Sequence, residues 1–262
     1  MSARSTDFIA VCGTAAAVLV LVGCNSTTDS NNGGGGTTDA SPTGVWSGTD
    51  SVTGIAVSAF IDAGGQAVFF RGDGVQFTGA PQVSGTTLAV TVDGYSDFPS
   101  AFSDHSTYGI GTLNGTVTTA TGITAALTFT TNGGTALSGK WSLNFEAQSN
   151  IASSTTAVSG NYTDNVTGAV TSINTSGGMT SQNPNNGCVL NGSISTSDGS
   201  HDIYQVAFSY GNCTGAYAVL NGVQFTGLAS LNSRSSPAQL TLAVTGASST
   251  ARYGIVSTLT GS

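Results

Sequence analysis

Acid–base or nucleophilic chemistry in this chain would have to be run by very few side chains. His105 and His201 are its only histidines, and Glu146 is its only glutamate. A Ser-His-Asp relay needs an imidazole held between a carboxylate and a hydroxyl. His201 and Asp202 are adjacent at the start of a strand-like run after a turn, where histidine is ordinarily solvated. No Gly-x-Ser-x-Gly elbow exposes a serine nucleophile, so no catalytic residue is expected and the chain reads as a non-enzyme. The densest polar cluster is Asp93-Gly94-Tyr95-Ser96-Asp97, followed by Asp104-His105. Its oxygens are of the kind calcium takes, but the Asp-x-Asp-x-Asp-Gly spacing and the closing bidentate glutamate are missing. Neither a metal nor a cofactor is expected. Interleaved with those carboxylates, Tyr95, Phe98, Pro99, Phe102 and Tyr108 read as an aromatic rim at the mouth of a folded module. Such a rim would suit a small ligand or a partner surface.

The remaining reactive groups are four cysteines, Cys12, Cys24, Cys188 and Cys213. Cys12 lies in the uncharged, mostly apolar run from Ile9 to Val22. That run is shorter than the ~20 residues of a membrane-spanning helix, and fits the hydrophobic region of a signal peptide. It closes on Leu21-Val22-Gly23-Cys24. This segment resembles bacterial lipoprotein signals, whose Leu-x-Gly-Cys box is matched by Leu21, Gly23 and Cys24. The resemblance implies cleavage before Cys24, a diacylglycerol on its thiol and an acyl chain such as palmitate on the new N-terminus. Asn25, standing where an aspartate would retain the protein in the inner membrane, implies the outer membrane. Several chains are needed because one gives only marginal binding, at ~0.8 kcal/mol per buried methylene.

With Cys12 removed and Cys24 lipidated, Cys188 and Cys213 are left for a disulfide in an oxidising compartment. Cys188 to Ser195 and Ile203 to Tyr210 read as strands about the turn Ser197-Asp198-Gly199-Ser200. A symmetric hairpin there sets residue 188 opposite roughly residues 209 to 213.

Composition narrows the partners. Only 7% of the residues are charged, the formal net charge is −8, and Arg71, Lys140, Arg234 and Arg252 are the only basic side chains after Cys24. Phosphate backbones and anionic lipids need clustered lysine and arginine, so nucleic acid is excluded as a partner and membrane attachment falls to the lipid on Cys24. The chain is nevertheless not disordered, because 39% of its residues are hydrophobic and they fall in alternating runs. The exception is Asn25 to Pro42, polar and carrying Gly33 to Gly36, expected to be a slack linker of about 25 Å.

From Thr43 onward the period is two. Trp141, Leu143 and Phe145 alternate with Lys140, Ser142 and Asn144; Ile123, Ala125, Leu127 and Phe129 alternate with threonines and alanine. Leu88, Val90 and Val92, then Tyr204, Val206, Phe208 and Tyr210, and finally Leu240, Leu242 and Val244 repeat the pattern. These are half-buried antiparallel strands joined by Gly- and Asp-rich turns. Only Ser96 to Ser106 has room for a helical turn. About eight strands fall on either side of Gln148 to Thr156, a polar stretch expected to act as a hinge. Eight is the number at which a sheet closes around an interior just filled by side chains, and closure removes exposed edges. The expected fold is therefore all-β: two small antiparallel barrels, with a sandwich or one larger barrel as alternatives. The expected organisation is a signal peptide over 1–23, a lipidated N-terminus and linker over 24–42, and β modules over 43–153 and 154–262. Gly74-Val75-Gln76-Phe77-Thr78-Gly79 recurs as residues 222 to 227, but the likeness between Trp46-Ser47-Gly48 and Val158-Ser159-Gly160 has a different offset. A simple tandem duplication would give one offset.

Gly44-Val45-Trp46 and Gly139-Lys140-Trp141 are similar to the Gly-x-Trp opening of lipocalin-type barrels, in which the tryptophan plugs the closed end. The chain as a whole resembles uncharacterised proteobacterial lipoproteins through Cys24, Gly44 to Gly48, Gly187-Cys188-Val189-Leu190-Asn191-Gly192 and Cys213. That resemblance implies a cell-envelope location and a β fold, and no activity. Two readings follow: a structural or interaction module presenting loops to a protein partner, which is preferred, or a carrier or sensor of a small apolar ligand. They separate on the interior. A lumen filled by Trp46, Trp141, Phe129, Phe145, Tyr204 and Phe208 speaks for the first, and an apolar cavity of at least ~300 Å³ for the second.

Overall fold

Antiparallel strands with inward residues every second position build two closed barrels in the computed structural model, which describes residues 38–262. Leu21, Val22, Gly23 and Cys24, with the rest of the expected signal and most of the tether, lie outside the described residues.

The first barrel comprises β1 (Gly44–Asp50), β2 (Ala56–Ile61), β3 (Ala67–Arg71), β4 (Gln76–Gly79), β6 (Thr87–Tyr95), β7 (Tyr108–Thr118), β8 (Gly122–Thr131) and β9 (Ala136–Phe145). A short β5 (Gln82–Ser84) folds back on the start of β6. The ring closes where β1 pairs β9, from Trp46↔Phe145 to Asp50↔Trp141, and where β4 pairs β6, from Gln76↔Tyr95 to Gly79↔Val92. The second barrel is an uninterrupted meander: β10 (Gly160–Asp164), β11 (Val170–Ile173), β12 (Gly178–Gln182), β13 (Val189–Thr196), β14 (Tyr204–Gly211), β15 (Gln224–Asn232), β16 (Gln239–Ala247) and β17 (Arg252–Gly261). It closes between β17 and β10, from Tyr162↔Gly261 to Asp164↔Leu259.

The repeated six-residue motif falls on β4 in one barrel and β15 in the other, the fourth and sixth strands of their rings. Its inward phenylalanines, Phe77 and Phe225, are both fully buried. The motif is thus one local device, a glycine turn feeding a strand with an inward ring, used at two different places. This accounts for the mismatched offset. Likewise Gly139-Lys140-Trp141 does not open a module; it lies in β9, the last strand of the first barrel.

The first lumen is filled with side chains. Trp46, Phe69, Phe77, Phe129, Leu113 and Leu127 are at most 2% exposed. The Phe77 ring meets Phe129 edge-on at 5.2 Å and Trp141 at 5.6 Å. Gly94 and Gly109 face each other across β6 and β7, and a Cβ on either would fall within 2.5 Å of the Phe129 ring. The glycine pair is therefore the seat for that ring. Trp46 Nε1 donates to Pro42 O at 2.8 Å, and Ala40 N donates to Gly85 O at 2.7 Å. These contacts dock residues 39 to 42 on the barrel, where the sequence suggested continued slack.

The stretch expected to be a hinge is instead fixed. Ser149 is fully buried, accepts from the Val45 amide and donates back to Val45 O at 3.3 Å. Residues 147 to 150 form a 3₁₀ turn, and Ser154 caps a one-turn helix, Thr155–Val158, by accepting from Ala157 N at 3.0 Å. Ser96 to Ser106 is a loop of turns and bends without helix. A third apolar cluster explains why no hinge is needed. Val45, Phe60, Val68 and Phe70 from the outer face of the first barrel pack on Ile203, Leu228, Ala243 and Val256 of the second. Within this seam the Gln76 side chain donates to Val244 O at 3.0 Å. Thr37–Ser262 accordingly forms one compact unit.

Candidate functional site

The second barrel is filled only in part. Its closed end is packed: Val158 at the end of the short helix, Tyr162 and Tyr204 are at most 4% exposed, and Tyr162 donates to Val158 O at 3.0 Å. Asp202, 2% exposed, joins this floor where the lumen meets the seam, accepting from Ser230 Oγ at 3.2 Å. Burial pushes its carboxyl up to about 7, against smaller opposing contributions from the Ser230 hydroxyl, the Leu231 amide and Tyr204. Tyr204 is raised as well, first by burial and then by the Asp202 charge.

Toward the other end the barrel opens into a cavity of about 460 Å³. Its walls are the inward residues of the upper strands: Thr171, Ser181, Leu190, Phe208, Leu242 and Leu259. Its rim is made of the β10–β11, β12–β13 and β14–β15 loops, contributing Asp164, Val166, Asn183, Asn186, Tyr217 and Leu220. The Cys188–Cys213 disulfide lies beside it, and register Val189↔Gly211 shows the bond closing the open end of the β13–β14 hairpin. Asn221 then holds the loop: its side chain accepts from Cys213 N at 2.8 Å and donates to Cys213 O at 3.0 Å. Of the five exposed large apolar residues among those described, Val166, Val170 and Val219 belong to or flank these rim loops.

The roof comes from the first barrel. Phe98 and Pro99, on the β6–β7 loop, line the cavity of the second. Phe98 stands edge-on to Tyr217 at 5.3 Å and to Tyr253 at 5.7 Å. The loop is stapled to β17: Phe98 N donates to Gly254 O at 2.8 Å, Asp97 Oδ1 accepts from Val256 N at 3.0 Å, and Thr107 Oγ1 donates to Arg252 O at 2.9 Å. Gly254 allows this approach, since a Cβ there would sit 2.5 Å from the Gln76 side chain and 2.8 Å from Tyr95.

The four aromatic residues expected to share one rim are therefore divided. Phe102 turns into the first lumen, 5.6 Å from Phe129. Tyr95 and Tyr108 stand edge-on at 5.5 Å, with the Arg252 guanidinium 4.2 Å above the Tyr108 ring, so they clasp the seam. Tyr108 donates to Asp93, and its hydroxyl is pushed up to about 12 by burial and then by that carboxylate. Only Phe98 reaches a cavity. The loop is thus shared between the barrels, Phe102 packing into the first lumen and Phe98 lining the cavity of the second. Sequence reasoning missed Leu190, Thr171, Tyr217 and Asp164, whose shared location depends on barrel closure.

Among the other polar groups, Asp104 braces its own loop, accepting from Ser106 Oγ at 2.6 Å, from Ser106 N at 3.0 Å and from Thr131. Those hydroxyl donors hold its carboxyl well below the usual range. His201 Nδ1 meets Asp198 Oδ2 at 2.6 Å in the β13–β14 turn. Among the described residues no cluster of three or more His, Cys, Asp or Glu side chains has a metal-holding arrangement.

Compared with protein-family models, with curated proteins and with solved structures, the chain finds no match in any of the three.

Proposed function

We propose that this is a cell-envelope lipoprotein whose second barrel carries or senses a small, largely apolar molecule, while the first barrel serves as scaffold and roof. The observation that carries the reading is the contrast between two barrels of equal strand number: one lumen is packed solid, and the other keeps a cavity of about 460 Å³. Pockets for small molecules run from roughly 300 to 1,000 Å³ and combine apolar walls with a few placed polar groups. Leu190, Phe208, Leu242 and Leu259 supply the walls here, and Thr171, Ser181 and Asn186 the polar groups. The exposed valines at the mouth give an apolar entry. This reverses the preference from sequence for a purely structural or interaction module, a role the packed first barrel fits by itself. Lipid on Cys24, outer-membrane residence and removal of residues 1–23 belong to the same proposal.

Native mass spectrometry of protein purified from its native host is the test. Expected is a co-purifying mass that is lost in Thr171→Phe, which fills the lumen from an inward position without adding charge. The reading fails if the wild type carries no small molecule and a panel of apolar compounds leaves its melting temperature unmoved. Cys24→Ala should yield an unacylated product that leaves the membrane fraction; normal partitioning of that variant would remove the anchor from the proposal.

A further inference from the structure

Resting on that reading, we propose that the second lumen selects a cationic amphiphile: an apolar body with a single amine head, received at the mouth by Asp164 and the rings of Phe98, Tyr210 and Tyr217. No lysine, arginine or histidine lines the cavity, whereas Asp97 and Asp164 both do. A buried anionic head would find no cation to pair with and two carboxylates to repel it, which is costly in a low-dielectric site.

The two carboxylates differ in place. Asp97 stands on the seam, where its Oδ1 accepts from Val256 N and its Oδ2 has no hydrogen-bond partner among the described residues, whereas Asp164 stands on the rim of the second barrel itself. Asp164 uses Oδ1 for the amides of Val166 and Thr167, at 2.8 and 3.2 Å, and its Oδ2 has no hydrogen-bond partner among the described residues. Phe98, Tyr210 and Tyr217 line the same cavity as Asp164, and aromatic rings are groups that hold an ammonium. Phe98 and Tyr217 meet edge-on at 5.3 Å, and Tyr210 packs edge-on to Phe208 at 5.2 Å. The Tyr210 hydroxyl likewise makes no hydrogen bond among the described residues, and burial followed by the Asp164 charge pushes it up to about 12. The field of Asp164 thus reaches the ring that lines the lumen. Below, Leu190, Leu242 and Leu259 offer only apolar contact, which suits an alkyl or aromatic body.

Calorimetric titration with decylamine, decanol and decanoic acid at neutral pH separates head from body, because the three share one chain. Expected is an order of amine, alcohol, acid, with the amine about tenfold tighter than the alcohol, a ratio that corresponds to roughly 1.4 kcal/mol. Asp164→Asn keeps the oxygen that caps Val166 and Thr167, and should reduce the amine-to-alcohol ratio to about twofold. Its circular dichroism and melting temperature report whether it is folded. Acid or alcohol binding as tightly as the amine would overturn the ligand class while leaving a ligand-binding lumen in place. An amine preference that survives intact in folded Asp164→Asn would overturn the role of that carboxylate. Failure of all three to bind would instead bring down the carrier reading on which the inference rests.

Discussion

Asp202 makes the stability of the second barrel depend on pH. Burial pushes its carboxyl up from the usual 3.8 to about 7. Between those limits the unfolded chain loses its proton first, so the contribution of Asp202 to stability is greatest below about pH 4, falls as pH rises and levels off above about 7. At 1.4 kcal/mol per unit the loss is on the order of 4 kcal/mol. Urea midpoints should therefore decline from pH 4 to 7.5 in the wild type and stay nearly level in Asp202→Asn. A wild-type profile as level as that of the variant would show the acid to be solvated. From sequence, His201 read as a solvated histidine after a turn, and it lies in that turn; the next residue is carried inward against Tyr204 and Ser230, a burial set by strands far away in the chain. Gly94 is simpler. A methyl group there intrudes on Phe129, and Gly94→Ala should lower stability by about 1–3 kcal/mol in the same assay.

Strands were the most legible elements, since a period of two survives whatever they pack against. β8 and β9 alternate buried and exposed along nearly their whole length, as Ile123 to Phe129 and Lys140 to Phe145 indicate. The disulfide was legible for the same reason, because hairpin symmetry already sets Cys188 near Cys213. Replacing both by serine removes a cross-link over a sequence separation of 25 and should cost about 2–4 kcal/mol, read as a lower urea midpoint in the double variant. Loops were less legible. The β6–β7 loop read as an aromatic rim, but of its four rings only Phe98 lines a cavity, and that cavity belongs to the other barrel. Phe98→Ala removes the ring and leaves the backbone bond to Gly254, so a bound probe should leave the lumen several-fold faster on dilution. An unchanged release rate would mean that Phe98 is not the roof.

For the molecule as a whole the decisive contact is the seam, and sequence offered a sign of it that alternation alone does not explain. Phe60-Ile61, Val68-Phe69-Phe70 and Leu228-Ala229 are apolar at consecutive positions, the mark of strands covered on both faces. Ile61, Phe69 and Ala229 fill lumens, while Phe60, Val68, Phe70 and Leu228 meet across the seam. What those residues could not show is which surface would cover them. Phe60→Ala should cost about 3–5 kcal/mol and replace one thermal transition by two, as calorimetry would record. A single transition in that variant would mean that other contacts suffice. The seam also divides the chromophores. Both indoles, Trp46 and Trp141, belong to the first barrel with Tyr95 and Tyr108, whereas the other five tyrosines, Tyr162, Tyr204, Tyr210, Tyr217 and Tyr253, belong to the second. Light absorbed by the phenols of one half can emerge as indole emission from the other only while the halves stay side by side. The protein therefore carries an intrinsic optical ruler for its own separation.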